Sequence, residues 1–443
     1  MIKCTFFYKN SEAGLQKGNE LTMTKDIQDT CIEILKEELV PAMGCTEPIA
    51  IAYCAAKLKE VLGVVPEKVL AQVSGNILKN VKSVVVPNTG GMKGIKTAIA
   101  AGVIAGKADQ QLEVIKSVPE ESLGAIAEYS QNCPIEVSAS HTPWLLDICL
   151  TGWAGEHTAV VHIANGHTNI VRIELDGKVL LDNPAGDTMG ARKADQSVLN
   201  LDTILEFANE VDLSLVRDVL KRQIEYNQAI SKEGLNNQWG AGIGSMLLKK
   251  GNDVGTRARA WAAAGSDARM SGCELPVVIV SGSGNQGITA SMPVVCYAED
   301  MGASEEQMLR ALIVSDLVTV YQKRGIGLLS AYCGAISAGV GAGAGIAYLK
   351  GADREGIAHT ITNAVAILSG TICDGAKPSC AAKIASAVEA GIIGYEMYTE
   401  NHNFNAEDGI IGKNLEETIA NVGVLASQGM KETDRTIIKI MTQ

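Results

Sequence analysis

Three cysteines in the last third of the chain have the surroundings of an iron–sulfur site. Cys373 and Cys380 are seven positions apart in TICDGAKPSC, and Cys333 lies in the uncharged stretch SAYCGAISAG. Structural zinc sites favour closer cysteine pairs, and no second pair is near in the sequence. Thiolates beside glycine and alanine suit a bulky inorganic cluster that prefers sulfur ligands. The spacing alone also allows three unrelated core residues.

The group has no fourth cysteine, and this bears on what a cluster would do. Electron carriers usually hold a cubane cluster with four cysteines. Three ligands leave one iron open, and an open iron is a Lewis acid. Four other cysteines lie in apolar periodic stretches and are expected to be inert core residues: Cys31, Cys54, Cys149 and Cys296.

Cys45 lies at the predicted start of a helix, in PAMGCTEP. Thr46 is a good N-cap, and Glu47 and Pro48 suit a first helical turn. Because a helix N-terminus lowers the pKa of a thiol, we expect Cys45 to be available as a thiolate near neutral pH and to take a substrate proton. An ordinary buried cysteine is the alternative.

Polar loop residues are candidates for binding a zwitterionic substrate. SGSGNQG precedes an apolar helix, so its backbone N–H groups can form an anion nest. It is neither a dinucleotide fingerprint nor a Walker loop, which disfavours NAD and ATP, and no lysine context indicates pyridoxal phosphate (PLP). Structural turns and solvated surface charges are the alternatives for this set. The candidate substrate-binding residues are Ser74, Asn76, Asn88, Thr89, Asn285, Gln286, Arg324 and Lys377.

Periodicity predicts a mixed fold: a mainly α-helical, cluster-binding domain plus an α/β (α+β) domain. Residues 1–23 lack periodicity and are expected to be a disordered extension. Residues 24–63 form a helical segment that carries the GCTEP loop and is expected to pack with the C-terminal domain. Residues 64–193 form the α/β domain, with strands in KVLAQVSG, KSVVVPNTGG, PIEVSAS, TAVVHIA and NIVRIELDGKVLL. Residues 194–443 form the helical domain.

The composition excludes several partners. Net charge is −12 with no basic run, so neither nucleic acid nor an anionic lipid surface is expected to bind. Residues 325–349 are uncharged and long enough to span a bilayer, but their many glycines and alanines favour one helix buried in a bundle. Without a signal-peptide pattern, a cytoplasmic location is expected. The sequence leaves the oligomeric state open and allows a homodimer.

Four histidines lie in the β-rich region: His141, His157, His162 and His167. Their spacing does not match a zinc-protease helix. We expect structural or surface roles for them.

Six motifs, in order along the chain, carry a family resemblance: PAMGCTEP (41–48), SGN (74–76), VPNTGG (86–91), SGSGNQGI (281–288), SAYCGA around Cys333, and CDGAKPSC (373–380). Together they resemble the L-cysteine desulfidase family, relatives of the alpha chains of bacterial iron–sulfur L-serine dehydratases. The resemblance runs from about residue 25 to the end of the chain.

The resemblance implies a function and roles for four cysteines. Cys333, Cys373 and Cys380 would ligate a [4Fe–4S] cluster with one open iron, and Cys45 would be the catalytic thiol. The implied reaction is β-elimination of L-cysteine to pyruvate, ammonia and hydrogen sulfide, without PLP or NAD. In the serine dehydratases the last two ligand cysteines stand further apart than here, which favours a thiol substrate.

Two other functions stay open at this stage. The same kind of iron could bind the hydroxyl of L-serine, so serine dehydration is the nearest alternative. A non-catalytic, cluster-based sensor is a different class, but the chain lacks the basic helix of a DNA-binding regulator.

Overall fold

The computed structural model describes residues 23–140, 142, 144–183, 194–327 and 330–442. The predicted extension at 1–23 lies outside this part of the chain except for Met23, and so does His141. The helices and strands in chain order are α1 (Lys25–Glu38), β1 (Pro41–Met43), α2 (Thr46–Leu62), β2 (Lys68–Val73), α3 (Gly75–Val81), α4 (Gly94–Ala105), α5 (Ser122–Asn132), β3 (Ile135–Ala139), β4 (Asp147–Ala154), β5 (His157–Ala164), β6 (Ile170–Leu175), β7 (Lys178–Asp182), α6 (Leu201–Glu210), α7 (Arg217–Asn236), α8 (Ile243–Leu248), α9 (Val254–Met270), β8 (Pro276–Val278), α10 (Gly284–Met301), α11 (Glu305–Ile326), α12 (Gly334–Leu349), α13 (Arg354–Leu368), α14 (Cys380–Thr399), α15 (Leu415–Val424) and α16 (Lys431–Thr442).

Two large hydrophobic cores organise the part of the chain that the structure describes, and they confirm the predicted mixed fold. One core joins α1 and β1 to the helices that follow residue 194. The other joins α2, α3 and α4 to the sheet. The segment expected at 24–63 is therefore divided near Gly44. Only its first part packs with the C-terminal helices, because α2 buries isoleucine and alanine side chains around most of its surface against the α/β domain.

The α/β domain contains a six-stranded mixed sheet with strand order β3-β2-β4-β5-β6-β7. β2 and β3 are parallel, and the other neighbouring strands are antiparallel. Five strands lie where the sequence predicts them. The sequence pattern does not predict β4, although this strand lies inside the sheet between β2 and β5.

KSVVVPNTGG does not form the strand that the sequence predicts. The segment forms a turn, with an isolated β-bridge between Val85 and Lys93. Asn88 adopts a positive φ of 58°, and the Thr89 hydroxyl donates to the carbonyl of Val86 across 2.7 Å. A left-handed residue and a local side-chain hydrogen bond favour a turn over an extended ladder.

Small residues let α12 pack closely against its neighbours in the helical domain. A Cβ added at Gly339 would lie 2.4 Å from the Ala387 carbonyl, and one added at Gly343 would lie 2.7 Å from Gly391 Cα. These glycines cannot be enlarged without separating α12 from α14. In the described part of the chain, no helix is long and apolar enough to cross a membrane.

The uncharged stretch 325–349 is not one helix, contrary to the prediction. α11 ends at Ile326, with Gly327 at a positive φ of 87°, and α12 begins at Gly334. Between them, Tyr332 forms a β-bridge with Ile372. Cys333 is therefore the N-cap of α12 and lies outside the helix.

Candidate active site

A cavity of about 140 Å³ lies where the two domains meet. The α/β domain contributes the N-terminus of α2, the end of α3 and the loop after β5. The helical domain contributes the end of α9, the loop before α10, and the segments that precede α12 and α14.

The structure brings Cys333, Cys373 and Cys380 together on this cavity. Two backbone hydrogen bonds join their segments: Cys333 N–H donates to the Thr371 carbonyl (3.1 Å), and Cys373 N–H donates to the Ala331 carbonyl (2.6 Å). Burial, followed by the nearby thiols of Cys373 and Cys380, raises the pKa of Cys333 to about 12. The two hydrogen bonds and the shared cavity place the three thiols on one wall of the site.

Two features of the surroundings offset part of the cost of negative charge on these thiols, although burial as a whole raises the pKa of Cys333 and of Cys380. Cys333 caps α12 and Cys380 is the first residue of α14, and helix N-termini stabilise anions. Lys383 donates to the carbonyl of Ile372 (2.8 Å) and to Asp374 Oδ1 (2.6 Å), which places an ammonium group beside the same segment.

The three thiols offer soft sulfur donors, the kind that iron–sulfur clusters bind. Among the described residues, no group of three His, Cys, Asp or Glu side chains is arranged to hold one metal ion. A cubane binds each cysteine through a different iron, so its ligands stand further apart than those of one ion. Three thiols from two segments of one cavity wall fit that donor set.

Cys45 lies at the start of α2 as predicted, but Cys45 and not Thr46 is the N-cap, and the expected lowering of the Cys45 pKa is wrong. Cys45 is only 4% exposed, and its thiol donates to Glu47 Oε2 across 2.9 Å. Burial raises the pKa of Cys45 well above its ordinary value, and the Glu47 carboxylate raises it further. These effects exceed the influence of the helix N-terminus, so Cys45 rests as a neutral thiol.

Glu47 is the charged partner of that thiol. Its Oε1 accepts from Asn80 Nδ2 (2.9 Å), and its Oε2 also accepts from the Thr46 hydroxyl (3.3 Å). Burial alone would raise the pKa of Glu47. His167 and the hydrogen bond from Cys45 outweigh that effect, and the pKa is lowered. Glu47 is therefore a buried carboxylate held ready beside a thiol.

His167 also lines the cavity, although nothing in its sequence surroundings indicates this. Its Nε2 is buried without a hydrogen-bond partner in the part of the chain that the structure describes. Burial lowers the pKa of His167, so the ring is neutral near pH 7. His157 and His162 have the structural roles predicted for them, since each pairs with an aspartate, Asp176 and Asp147 respectively.

Two of the predicted substrate-binding residues, Asn285 and Gln286, line the cavity. Asn285 Oδ1 accepts from Arg269 Nη1 across 3.1 Å. Arg269, which no sequence pattern indicated, and Ser281, the first residue of the SGSGNQG loop, are deeply buried and line it as well.

The structure does not bring the other six predicted substrate-binding residues to the cavity. Ser74 caps α3 and donates to the Leu145 carbonyl. Asn88 Nδ2 donates to the carbonyl of Ile115 in another segment, and the Thr89 hydroxyl donates to the carbonyl of Val86 in its own loop. Asn76 is buried in α3.

The two predicted cations also have structural partners. Arg324 Nη1 donates to the Gln196 carbonyl across 2.9 Å. Lys377 pairs with Asp374, three residues earlier in the same loop. These contacts stabilise the segments around the cavity, so both cations support it from outside.

The sequence of the chain matches a known family and several of its members. The family model described as serine dehydratase alpha chain matches residues 89–439. A UPF0597 protein of Desulfitobacterium hafniense is 55% identical over 413 residues, which cover 93% of this chain and 96% of that protein. UPF0597 proteins of Lachnoclostridium phytofermentans (50% over 411 residues; 93% and 98% covered) and Treponema denticola (44% over 428 residues; 95% and 99% covered) are also similar. The chain therefore belongs to the serine dehydratase alpha chain family.

Proposed function

We propose that this chain is a PLP-independent iron–sulfur lyase that eliminates hydrogen sulfide from L-cysteine. The observation that carries the proposal is the meeting of two sets of groups on one cavity. Cys333, Cys373 and Cys380 come from the helical domain, and the hydrogen-bonded pair Cys45 and Glu47 comes from the α/β domain.

The three cysteines would hold a [4Fe–4S] cluster. When bound, an iron without a cysteine ligand supplies Lewis-acid chemistry toward a thiolate or hydroxyl on the substrate. The N-termini of α12 and α14 and the ammonium of Lys383 offset the negative charge of the thiolate ligands.

Cys45 and Glu47 remove the proton from Cα of the substrate. The Cys45 sulfur takes the Cα proton in the same step in which its own proton passes to Glu47 Oε2 along the existing hydrogen bond, because the raised pKa of Cys45 and the lowered pKa of Glu47 disfavour a free thiolate. The electron pair of the Cα–H bond forms a Cα=Cβ double bond, and the Cβ–S bond breaks with release of hydrosulfide. Aminoacrylate then tautomerises and takes up water to give pyruvate and ammonia, so L-cysteine and water yield pyruvate, ammonia and hydrogen sulfide.

His167 completes the proton path. Because its ring is neutral near pH 7 and it lies on the same cavity as Glu47, it can accept the proton that Glu47 has gained through a water or substrate group that bridges the two, since its Nε2 has no direct hydrogen-bond partner among the described residues. Passing that proton on to the leaving hydrosulfide or to water would restore Glu47 as a carboxylate.

L-serine is the second candidate substrate, and the family match supports it. The same residues would remove the Cα proton while hydroxide leaves from Cβ. Hydroxide is a poorer leaving group than hydrosulfide, so serine depends more on Lewis-acid assistance.

The test compares the two substrates with protein purified anaerobically. Sulfide released from L-cysteine is expected to exceed pyruvate formed from L-serine at equal concentrations. Pyruvate from serine alone would reject the thiol assignment. If neither substrate turns over although the cluster spectrum responds to an amino acid, the chain is a sensor.

A further inference from the structure

Four polar atoms on the cavity are buried without hydrogen-bond partners among the residues that the structure describes: His167 Nε2, Arg269 Nε, Ser281 Oγ and Gln286 Oε1. Such atoms are costly in a folded protein unless a ligand or water satisfies them. Three of them, those of Arg269, Ser281 and Gln286, come from the helical domain.

We infer that Arg269, Ser281 and Gln286 bind the α-carboxylate and α-ammonium groups of the amino-acid substrate. The inference rests on the proposed function, because it names the part of the same cavity that recognises an α-amino acid whatever leaves from Cβ. Arg269 Nε–H and the Ser281 hydroxyl are donors, which suit a carboxylate. The carbonyl oxygen of the Gln286 amide is an acceptor, which suits an ammonium group.

Arg269 is a buried cation on the cavity whose Nε–H has no described hydrogen-bond partner. It is 4% exposed, and Asn285 takes up one Nη1 hydrogen bond but not Nε. Lys79, another cation on the cavity, is paired with Asp434 across 2.6 Å. The guanidinium packs directly on Gly284. A Cβ at that position would lie 2.5 Å from Arg269 Nε, so only glycine leaves room for it.

Ser281 is held in an unusual backbone conformation beside Arg269. Its φ is +48°, which a residue with a Cβ seldom adopts, and its side chain is 2% exposed. Glu38 Oε2, from α1, accepts the Ser281 N–H across 2.8 Å and fixes the turn. Strained backbone that a distant element holds in place is typical of binding sites.

Gln286 connects this binding set to the cysteines. A Cβ added at Gly334 would lie 2.7 Å from Gln286 Cδ, so the amide packs directly on the residue that follows Cys333. If the α-ammonium group of the substrate binds Gln286, the Cβ substituent of the substrate lies within the same cavity as the three thiols.

Isothermal titration of the anaerobic protein with L-alanine tests the inference, because L-alanine has both α-groups and no leaving group. Propionate and ethylamine each carry one of those groups. Arg269→Gln should weaken L-alanine and propionate binding by about tenfold or more, since a charge-assisted hydrogen bond is lost. Gln286→Leu should weaken L-alanine while leaving propionate nearly unchanged. Arg259→Gln, on the same helix but paired with Glu389, is the matched control.

Two results would overturn the inference: no binding of L-alanine to the wild type, or equal binding to the wild type and both variants. If Arg269→Gln does not fold, Gln286→Leu still decides by its contrast between L-alanine and propionate. Titration does not require turnover, so it separates the two proposals. Arg269-dependent binding in a protein that releases no sulfide keeps the binding site and rejects the elimination.

Discussion

The Cys45 thiol donates a 2.9 Å hydrogen bond to Glu47 Oε2 at the buried N-terminus of α2. Both groups come from the single motif GCTEP, two residues apart. Burial and the carboxylate keep the thiol protonated at rest, so a thiolate forms only when Glu47 takes the proton. Base strength therefore depends on the pair and not on Cys45 alone.

Replacement of Glu47 by glutamine should abolish most turnover while leaving iron bound. The amide keeps the shape of the side chain but cannot accept the thiol proton, and loss of a general base costs about 10² to 10⁴ in rate. The measurement is the rate of anaerobic sulfide release, with iron per chain measured in parallel. Glu60→Gln, on the exposed side of α2, is the control. Turnover near the wild-type rate in Glu47→Gln would remove Glu47 from the proton path.

The cysteines should divide into two groups by iron content. Cys380→Ala is expected to lose the iron, because two remaining thiols cannot hold the cluster firmly. Cys45→Ala is expected to retain the iron and lose turnover. Cys133→Ala is a control, since Cys133 is only partly buried and hydrogen-bonds to the Glu67 carbonyl away from the cavity. Unchanged iron in Cys380→Ala would contradict the assignment of the ligands.

Gly334→Ala should raise KM more than it lowers the iron content. The new Cβ would lie 2.7 Å from Gln286 Cδ, so the amide has to move away from its position on the cavity. Steady-state kinetics with L-cysteine, together with iron analysis, measure both effects. Gly124→Ala on α5 is the matched control, because a methyl group added there would meet no other atom within 4 Å. An unaltered KM would mean that Gln286 does not contact the substrate.

We expect the free energy of unfolding to depend on pH because of Asp316, a residue away from the proposed catalytic groups. It is 1% exposed on α11, and Gln223 Nε2 donates to its Oδ1 across 2.9 Å. Burial is the main reason that its pKa rises from 3.8 to about 7. The folded state therefore holds this proton more tightly than the unfolded chain, and stability falls as pH rises between those two values.

Asp316→Asn should remove this loss. Its melting temperature should exceed that of the wild type by a few degrees at about pH 8 and differ little at about pH 4. Thermal unfolding followed by circular dichroism at both pH values measures the difference. Asp218→Asn, at an exposed position, should not reproduce it. A parallel pH dependence in wild type and Asp316→Asn would show that Asp316 does not titrate in this range.

The cysteines of the cavity could be identified from the sequence because their type and small neighbours are local features. The position of Cys45 at a helix start could be predicted as well, since Thr46 and Pro48 are local too. The pKa of Cys45 could not, because the burial that raises it depends on loops from both domains. Arg269 lies in the last turn of the alanine-rich helix α9 and resembles an ordinary basic residue near a helix C-terminus. Only packing turns it toward the cavity.

β4 shows a similar limit within the sheet. Gly152 weakens the strand pattern of DICLTGWA, but packing requires a glycine there, since a Cβ would lie 2.8 Å from Leu58 Cδ2 on α2. The contact that explains the residue joins segments far apart in the sequence. Local strand propensity therefore does not predict β4, because contacts with distant segments stabilise this strand.

The central claim is that the cavity holds a cluster that contacts the substrate. Iron and acid-labile sulfide per chain after anaerobic purification test this claim most directly, together with absorption spectra recorded before and after addition of L-cysteine. We expect about four of each per chain, as in a [4Fe–4S] cluster, and a spectrum that L-cysteine changes. A chain purified without oxygen that holds no iron, or a cluster spectrum that L-cysteine leaves unaltered, would contradict the proposed function.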